Sequence, residues 1–210
     1  MRNVSSAAIL RVGVTGGIGS GKTVVCSLFA KHGIPVLSAD EMAKEMMQRD
    51  NVLRSQLKSL LGASTYRVDG SLDRAFVAAR IFSDKSLQRK LNKLVHPRVE
   101  AEIDSRFAAM GRSGNAIGIV EAALIYEAGY DKRLDVVIVV DAPESERVKR
   151  VVARDGSSAM EVQKRIAAQS PQEQKSRKAD YVIHNTGSLS ELESSVQFLV
   201  KILHNSTKNQ

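Results

Sequence analysis

The chain has 210 residues, 43% of them hydrophobic and 26% charged, enough to bury a sizeable core within one domain. Aromatic residues make up only 4%, with no tryptophan, which argues against an aromatic stacking platform for single-stranded nucleic acid, and no apolar run approaches the roughly 18 residues of a membrane span. A lone cysteine, Cys26, cannot close an internal disulfide, and a signal-peptide pattern is absent, so a reducing cytoplasm is the expected location; the net charge of +8 suits a polyanion, whether nucleic acid, membrane surface or phosphorylated small molecule.

Along the chain, short runs rich in Ile and Val alternate with helical patterns. Residues 9–14, 35–37, 116–121, 135–140 and 181–183 scarcely alternate with polar positions, as strands covered on both faces do. Helices are expected at 22–32, closed by Gly33, and at 41–49, 144–154 and 188–203. Residues 52–112 carry helical periodicity without a convincing strand and read as an insertion between the second and third strands. The domain is expected to run from 8 to 204, with residues 1–7 and 205–210 as loose ends.

After the first strand comes "GVTGGIGSGKT", in which Gly16, Gly21, Lys22 and Thr23 satisfy the P-loop pattern G-x-x-x-x-G-K-[ST], followed by an amphipathic helix containing Val25, Leu28 and Phe29. Inward-pointing backbone N–H groups need conformations that side chains resist, which accounts for the glycines, and the helix adds its positive dipole end. The pattern assigns ATP to Gly16, Gly17, Ile18, Gly19, Ser20, Gly21, Lys22, Thr23 and Val24, with Lys22 on the β and γ phosphates and the Thr23 hydroxyl on Mg²⁺. A P-loop in this setting gives a three-layer α/β/α sandwich on a five-stranded parallel sheet with a helical insertion; the cradle alone does not distinguish a switch, a motor and a kinase, and the P-loop kinase-like form, with a lid, rests on the features that follow.

Ser38-Ala39-Asp40 follows the second strand. Two readings of Asp40 stand at this point: a base that accepts a proton from an attacking hydroxyl, or a helix N-cap. Between residues 147 and 178 there are nine basic residues against three acidic ones, and Arg150 and Arg154 share a helical face. Beside a P-loop this reads as a closing lid whose guanidinium groups reach the transferring phosphoryl, rather than a merely solvated basic face.

Together with "HGIPVLSADEMAKEM", "DGSLDRAFVAARIF", "LNKLVHPRV", "ALIYE" and "ADYVIHNTGSLSEL", the P-loop makes the chain similar to the dephospho-CoA kinase family from about residue 11 to 200. The resemblance implies phosphorylation of the 3'-hydroxyl of the ribose of dephospho-coenzyme A by ATP with Mg²⁺, and no nucleic-acid or membrane partner. It places Asp40 at the acceptor hydroxyl, Arg74 and His96 in the segment that meets dephospho-CoA, Arg150 and Arg154 in the lid, and Asn185 near the adenine. A buried hydrogen-bonded imidazole remains an equal reading of His96, and a helix start or kink an equal reading of Pro97. Ser38, Ala123 and Arg147 depart from the family's usual aspartate, proline and lid glutamine. The rival readings are a nucleoside, nucleotide or sugar kinase of the same class, or a nucleotide-switched or nucleic-acid-binding protein. The sequence leaves the oligomeric state open.

Overall fold

A computed structural model describes residues 9–208. The five expected strands are present as β1 (Leu10–Thr15), β2 (Val36–Ser38), β3 (Ile117–Glu121), β4 (Val136–Asp141) and β5 (Tyr181–His184). They form one parallel sheet in the order β2-β3-β1-β4-β5. Parallel neighbours need crossover helices, and helices on both faces explain why these strands lack polar alternation.

The sheet belongs to the first of two compact units, which holds the chain up to Ser38 and again from Ser105. Its core packs Val12, Val14, Ile119, Ile138 and Val140 of the strands against α1 (Lys22–Lys31) and α10 (Leu189–Lys208). Val25 and Phe29 of α1 and Val196 of α10 are wholly buried there. On the opposite face, a side chain at Gly118 of β3 would strike the ring of Phe107, so glycine lets that ring lie directly on the strand. The same unit contains α6 (Ile125–Ala128), α7 (Glu144–Asp155), α8 (Ala159–Ala167) and α9 (Gln172–Lys178).

The helix α10 continues to Lys208, so residues 205–208 are not the loose end expected of them. Ser206 and Thr207 bond back to the carbonyls of Ile202 and His204, and Leu203 is buried in the core, which together carry the last turns past the polar sequence that hid them. Residues 1–7 and 209–210, also expected to be loose, lie outside the described residues.

The second unit spans Ala39–Asp104 and so starts earlier than the expected insertion. It contains α2 (Ala39–Arg49), α3 (Asn51–Leu61), α4 (Arg74–Ser83) and most of α5 (Lys85–Arg112), whose end passes into the first unit. Asp50 caps α3 by accepting from the Val52 and Leu53 amides, both at 2.9 Å, and Asp73 caps α4 through the Phe76 amide at 2.9 Å. Gln48 braces the loop between them, donating to Gly70 O at 3.0 Å and accepting from Leu72 N at 2.8 Å. Pro97 sits inside α5 rather than starting it. In that turn Arg98 donates to Leu94 O at 2.8 Å and to Gln56 of α3 at 3.0 Å.

Candidate active site

The P-loop joins the carboxyl end of β1 to the first turn of α1. Two of its glycines are obligatory for different reasons. At Gly16 (φ 151°) a Cβ would run into the Val140 carbonyl of β4. At Gly19 (φ 79°) it would lie 2.5 Å from the Arg147 carbonyl of α7, in a left-handed conformation that costs other residues about 1–2 kcal/mol. The loop is thus pressed between β4 and α7 with backbone on either side. Lys22 folds back over it, Nζ donating to Gly16 O at 3.1 Å and Gly17 O at 3.3 Å.

Thr23, in the first turn of α1, donates its hydroxyl to Glu121 Oε1 at 2.8 Å. Glu121 ends β3 and pairs in register with Val14 of β1, so the sheet itself sets this carboxylate beside the P-loop. A hydroxyl and a carboxylate at a helix N-terminus are hard oxygen donors of the kind Mg²⁺ takes alongside phosphate oxygens. Arg150 and Arg154 of α7 share with Gly19, Gly21, Lys22 and Thr23 the wall of a cavity of about 340 Å³.

Within that wall the two arginines differ. Arg150 donates to Asn185 O at 3.0 Å, and Asn185 in turn donates its side-chain amide to Ser20 O at 2.8 Å and its backbone amide to Asp141 O at 2.7 Å. Asn185 therefore braces the P-loop from β5's end. Arg154 is paired with its neighbour Asp155 at 2.6 and 3.1 Å. Arg165 of α8 also reaches Asp155, at 3.1 Å, and the hydrogen bonds from Arg154 and Arg165 hold that carboxyl down to a pKa of about 2. Arg147 is 5% exposed, its guanidinium lies against Gly17, and its Nη2 stands 3.8 Å from Glu144.

The remaining sequence-predicted residues lie in the second unit. Asp40 is the second residue of α2, exposed, two positions beyond the end of β2; the helix begins before it, which removes the N-cap reading. Arg74 opens α4 and is exposed, directly after the capping Asp73. His96 is half-buried in α5, where burial lowers its pKa against the upward pull of Glu100. Burial thus favours its neutral form.

Comparison with known proteins decides the family. A protein-family model described as dephospho-CoA kinase matches residues 10–191. The chain belongs to the dephospho-CoA kinase family. A dephospho-CoA kinase of Chlorobaculum tepidum is 42% identical over 192 residues, covering 90% of this chain and 92% of the relative. A solved dephospho-CoA kinase from Campylobacter jejuni superposes with a TM-score of 0.69 at 25% identity, covering 95% of this chain and 98% of that one. A solved Thermus thermophilus protein gives a TM-score of 0.79 at 37% identity, covering 93% and 98%.

Of the departures that the resemblance implies, Arg147 packs its guanidinium on Gly17 and Ala123 is met at its backbone carbonyl. Ala123 replaces the usual proline, and its carbonyl accepts from Lys175 Nζ at 3.0 Å. Sequence reasoning missed Glu121, Gln169 and Gln172. For Glu121 there was a signal, a single carboxylate closing the apolar run Ile117-Gly118-Ile119-Val120. The two glutamines lie in a polar stretch whose sequence does not distinguish them.

Proposed function

We propose that this protein transfers the γ-phosphoryl of ATP to the 3'-hydroxyl of the ribose of dephospho-coenzyme A. The observation that carries the reading is the cavity in which Lys22 and Thr23 of the P-loop meet Arg150 and Arg154 of α7, in a chain of this family.

In the reaction, the amides at the start of α1 and its positive end bind the phosphates. Lys22 exchanges the carbonyls of Gly16 and Gly17 for phosphate oxygens. Arg150 and Arg154 offset charge as it develops on the equatorial oxygens, Arg154 by leaving Asp155. Thr23 and Glu121 are the residues that would hold Mg²⁺, which when bound neutralises charge on the β and γ phosphates. Asp40 orients the acceptor hydroxyl and takes its proton, while Arg74 and His96 contact dephospho-CoA. Positioning and electrostatics supply most of the rate, since phosphoryl transfer asks little covalent chemistry of the protein.

The excess of positive charge, +8, suits two polyanionic substrates. Among the described residues no helix is long and apolar enough to cross a membrane. We place the reaction in the cytoplasm, with the unpaired Cys26 in support.

A coupled ADP-release assay with ATP·Mg²⁺ and a panel of hydroxyl acceptors tests the reading. Dephospho-CoA should be turned over with the highest kcat/KM; a clear preference for a nucleoside, a nucleotide or gluconate would overturn it.

A further inference from the structure

Two amides of the P-loop are held by side chains from residues more than 150 positions away. Gly17 N–H donates to Gln172 Oε1 at 2.8 Å, and Ile18 N–H donates to Gln169 Oε1 at 3.0 Å. Both glutamines come from the short connection between α8 and α9 and its first helical residue. The other end of the Gln172 amide donates to Val140 O of β4 at 3.0 Å, so one side chain bridges the sheet and the phosphate loop.

The connection is itself fixed on both sides of Gln172. Glu127 of α6 accepts from the Ser170 amide at 3.0 Å and pairs with Lys175 Nζ at 2.9 Å. Lys175 is 1% exposed and gives a second bond, to Ala123 O at 3.0 Å. A buried ammonium satisfied in this way does not wander, because leaving Glu127 would strand its charge and leaving the Ala123 carbonyl would cost a buried hydrogen bond. Glu127, through the Ser170 amide and Lys175, and Val140, through the Gln172 amide itself, thus fix the segment from which two carbonyl oxygens reach two adjacent amides.

The residue type also matters. A carboxylate would accept from the same amides more strongly, but it would set a negative charge beside a triphosphate. An amide supplies the acceptor without the charge.

We propose that Gln169 and Gln172 are positioning residues for phosphoryl transfer: neutral acceptors that hold the leading half of the P-loop in its phosphate-binding shape. Through Glu127 and Lys175 they tie that shape to the root of the basic lid. The proposal rests on the reading that ATP occupies the P-loop, and concerns residues that the family pattern did not single out.

The test compares wild type with Gln172→Met and Gln169→Met, which keep chain length and remove the acceptor. ATP·Mg²⁺ binding is measured by calorimetry, kcat and KM by the ADP-release assay, and the Gly17 and Ile18 amides by ¹H–¹⁵N spectra. Gln172→Met loses both the Gly17 and the Val140 hydrogen bonds and should raise the ATP Kd and KM by at least about tenfold, with kcat within about threefold of wild type. The Gly17 amide should move upfield in Gln172→Met and the Ile18 amide in Gln169→Met, and Gln172→Glu should return the Gly17 signal while still binding ATP weakly. Variants that bind ATP within about twofold of wild type, or that lose kcat with unchanged ATP affinity, overturn the proposal while leaving the nucleotide site in place. A wild-type protein that ignores ATP·Mg²⁺ overturns the nucleotide reading itself, and this proposal with it. Should a variant fail to fold, wild-type amide exchange decides: slow exchange at Gly17 and Ile18 supports the clamp, and free exchange rejects it.

Discussion

The hydroxyl of Thr23 lies 2.8 Å from the carboxylate of Glu121, linking the first turn of α1 to the last residue of β3. Strand pairing produces this contact. β3 lies beside β1 in register, Val14 opposite Glu121, so the strand's final carboxylate arrives where the P-loop gives way to its helix. The pair also touches the interior: Cys26, one turn along α1, has its thiol pKa pushed far up by burial first and by the Glu121 charge second.

Removing that charge while keeping an acceptor for Thr23 tests the part in Mg²⁺ binding proposed for it. Glu121→Gln should fold normally and raise the Mg²⁺ concentration needed for half-maximal rate by at least about tenfold, with kcat down about 10- to 100-fold. The rate measured against Mg²⁺ at saturating ATP checks this. An unchanged Mg²⁺ curve would leave Glu121 a structural partner of Thr23 only.

Asp40 is exposed, and it is the second residue of α2 rather than its cap. Its replacement should therefore cost little stability. For Asp40→Asn we expect kcat to fall by about 10² or more while ATP affinity holds, the pattern of a group that acts on the acceptor hydroxyl. Paired kcat and ATP-binding measurements decide, and a kcat near wild type would remove Asp40 from the chemistry.

What the sequence revealed follows from how local each signal is. The five strands could be read because both-face burial writes an uninterrupted apolar run, and the P-loop because phosphate contact by backbone demands glycine at set spacings. The Asn185–Ser20 bond, the Arg147 packing on Gly17 and the two glutamine clamps could not be read. Each joins residues 130 to 165 positions apart through one ordinary polar side chain, and nothing in the local pattern marks Gln172 out from the residues around it. The boundary of the second unit was missed for a related reason. α2 reads as a crossover helix after β2, yet it packs with α3, whose cap Asp50 is also paired to Arg98 of α5 at 3.4 Å.

Gly19→Ala probes the loop through its backbone. Its φ of 79° is strained for alanine, and the added carbon would meet the Arg147 carbonyl, which a helix cannot move cheaply. The loop must reshape, so ATP binding should weaken by more than tenfold while the far-UV spectrum is kept. Calorimetry on the folded variant measures this directly; ATP binding equal to wild type would mean the loop tolerates a different path.

The Lys175–Glu127 pair should give the lid's root its own dependence on pH. Burial pushes the Glu127 carboxyl up, but hydrogen bonds from Lys175 and the Ser170 amide outweigh it, leaving the pKa below its ordinary 4.5. A carboxyl held down in the folded state contributes stability that is complete above its unfolded value and is lost as pH falls through the lower folded value. Wild type should therefore lose stability more steeply than Glu127→Gln on acidification below 4.5, and the two should run parallel above it. Lys175→Met leaves Glu127 without its ammonium and should cost about 3 kcal/mol, the low end for a buried pair because Glu127 keeps 22% of its side chain exposed. Adding Glu127→Gln should recover much of that loss, since the stranded charge is then gone. Urea midpoints for the four proteins, taken on either side of the carboxylate range, settle both points. Additive losses with identical acid slopes would mean that the two side chains stabilise the lid's root independently.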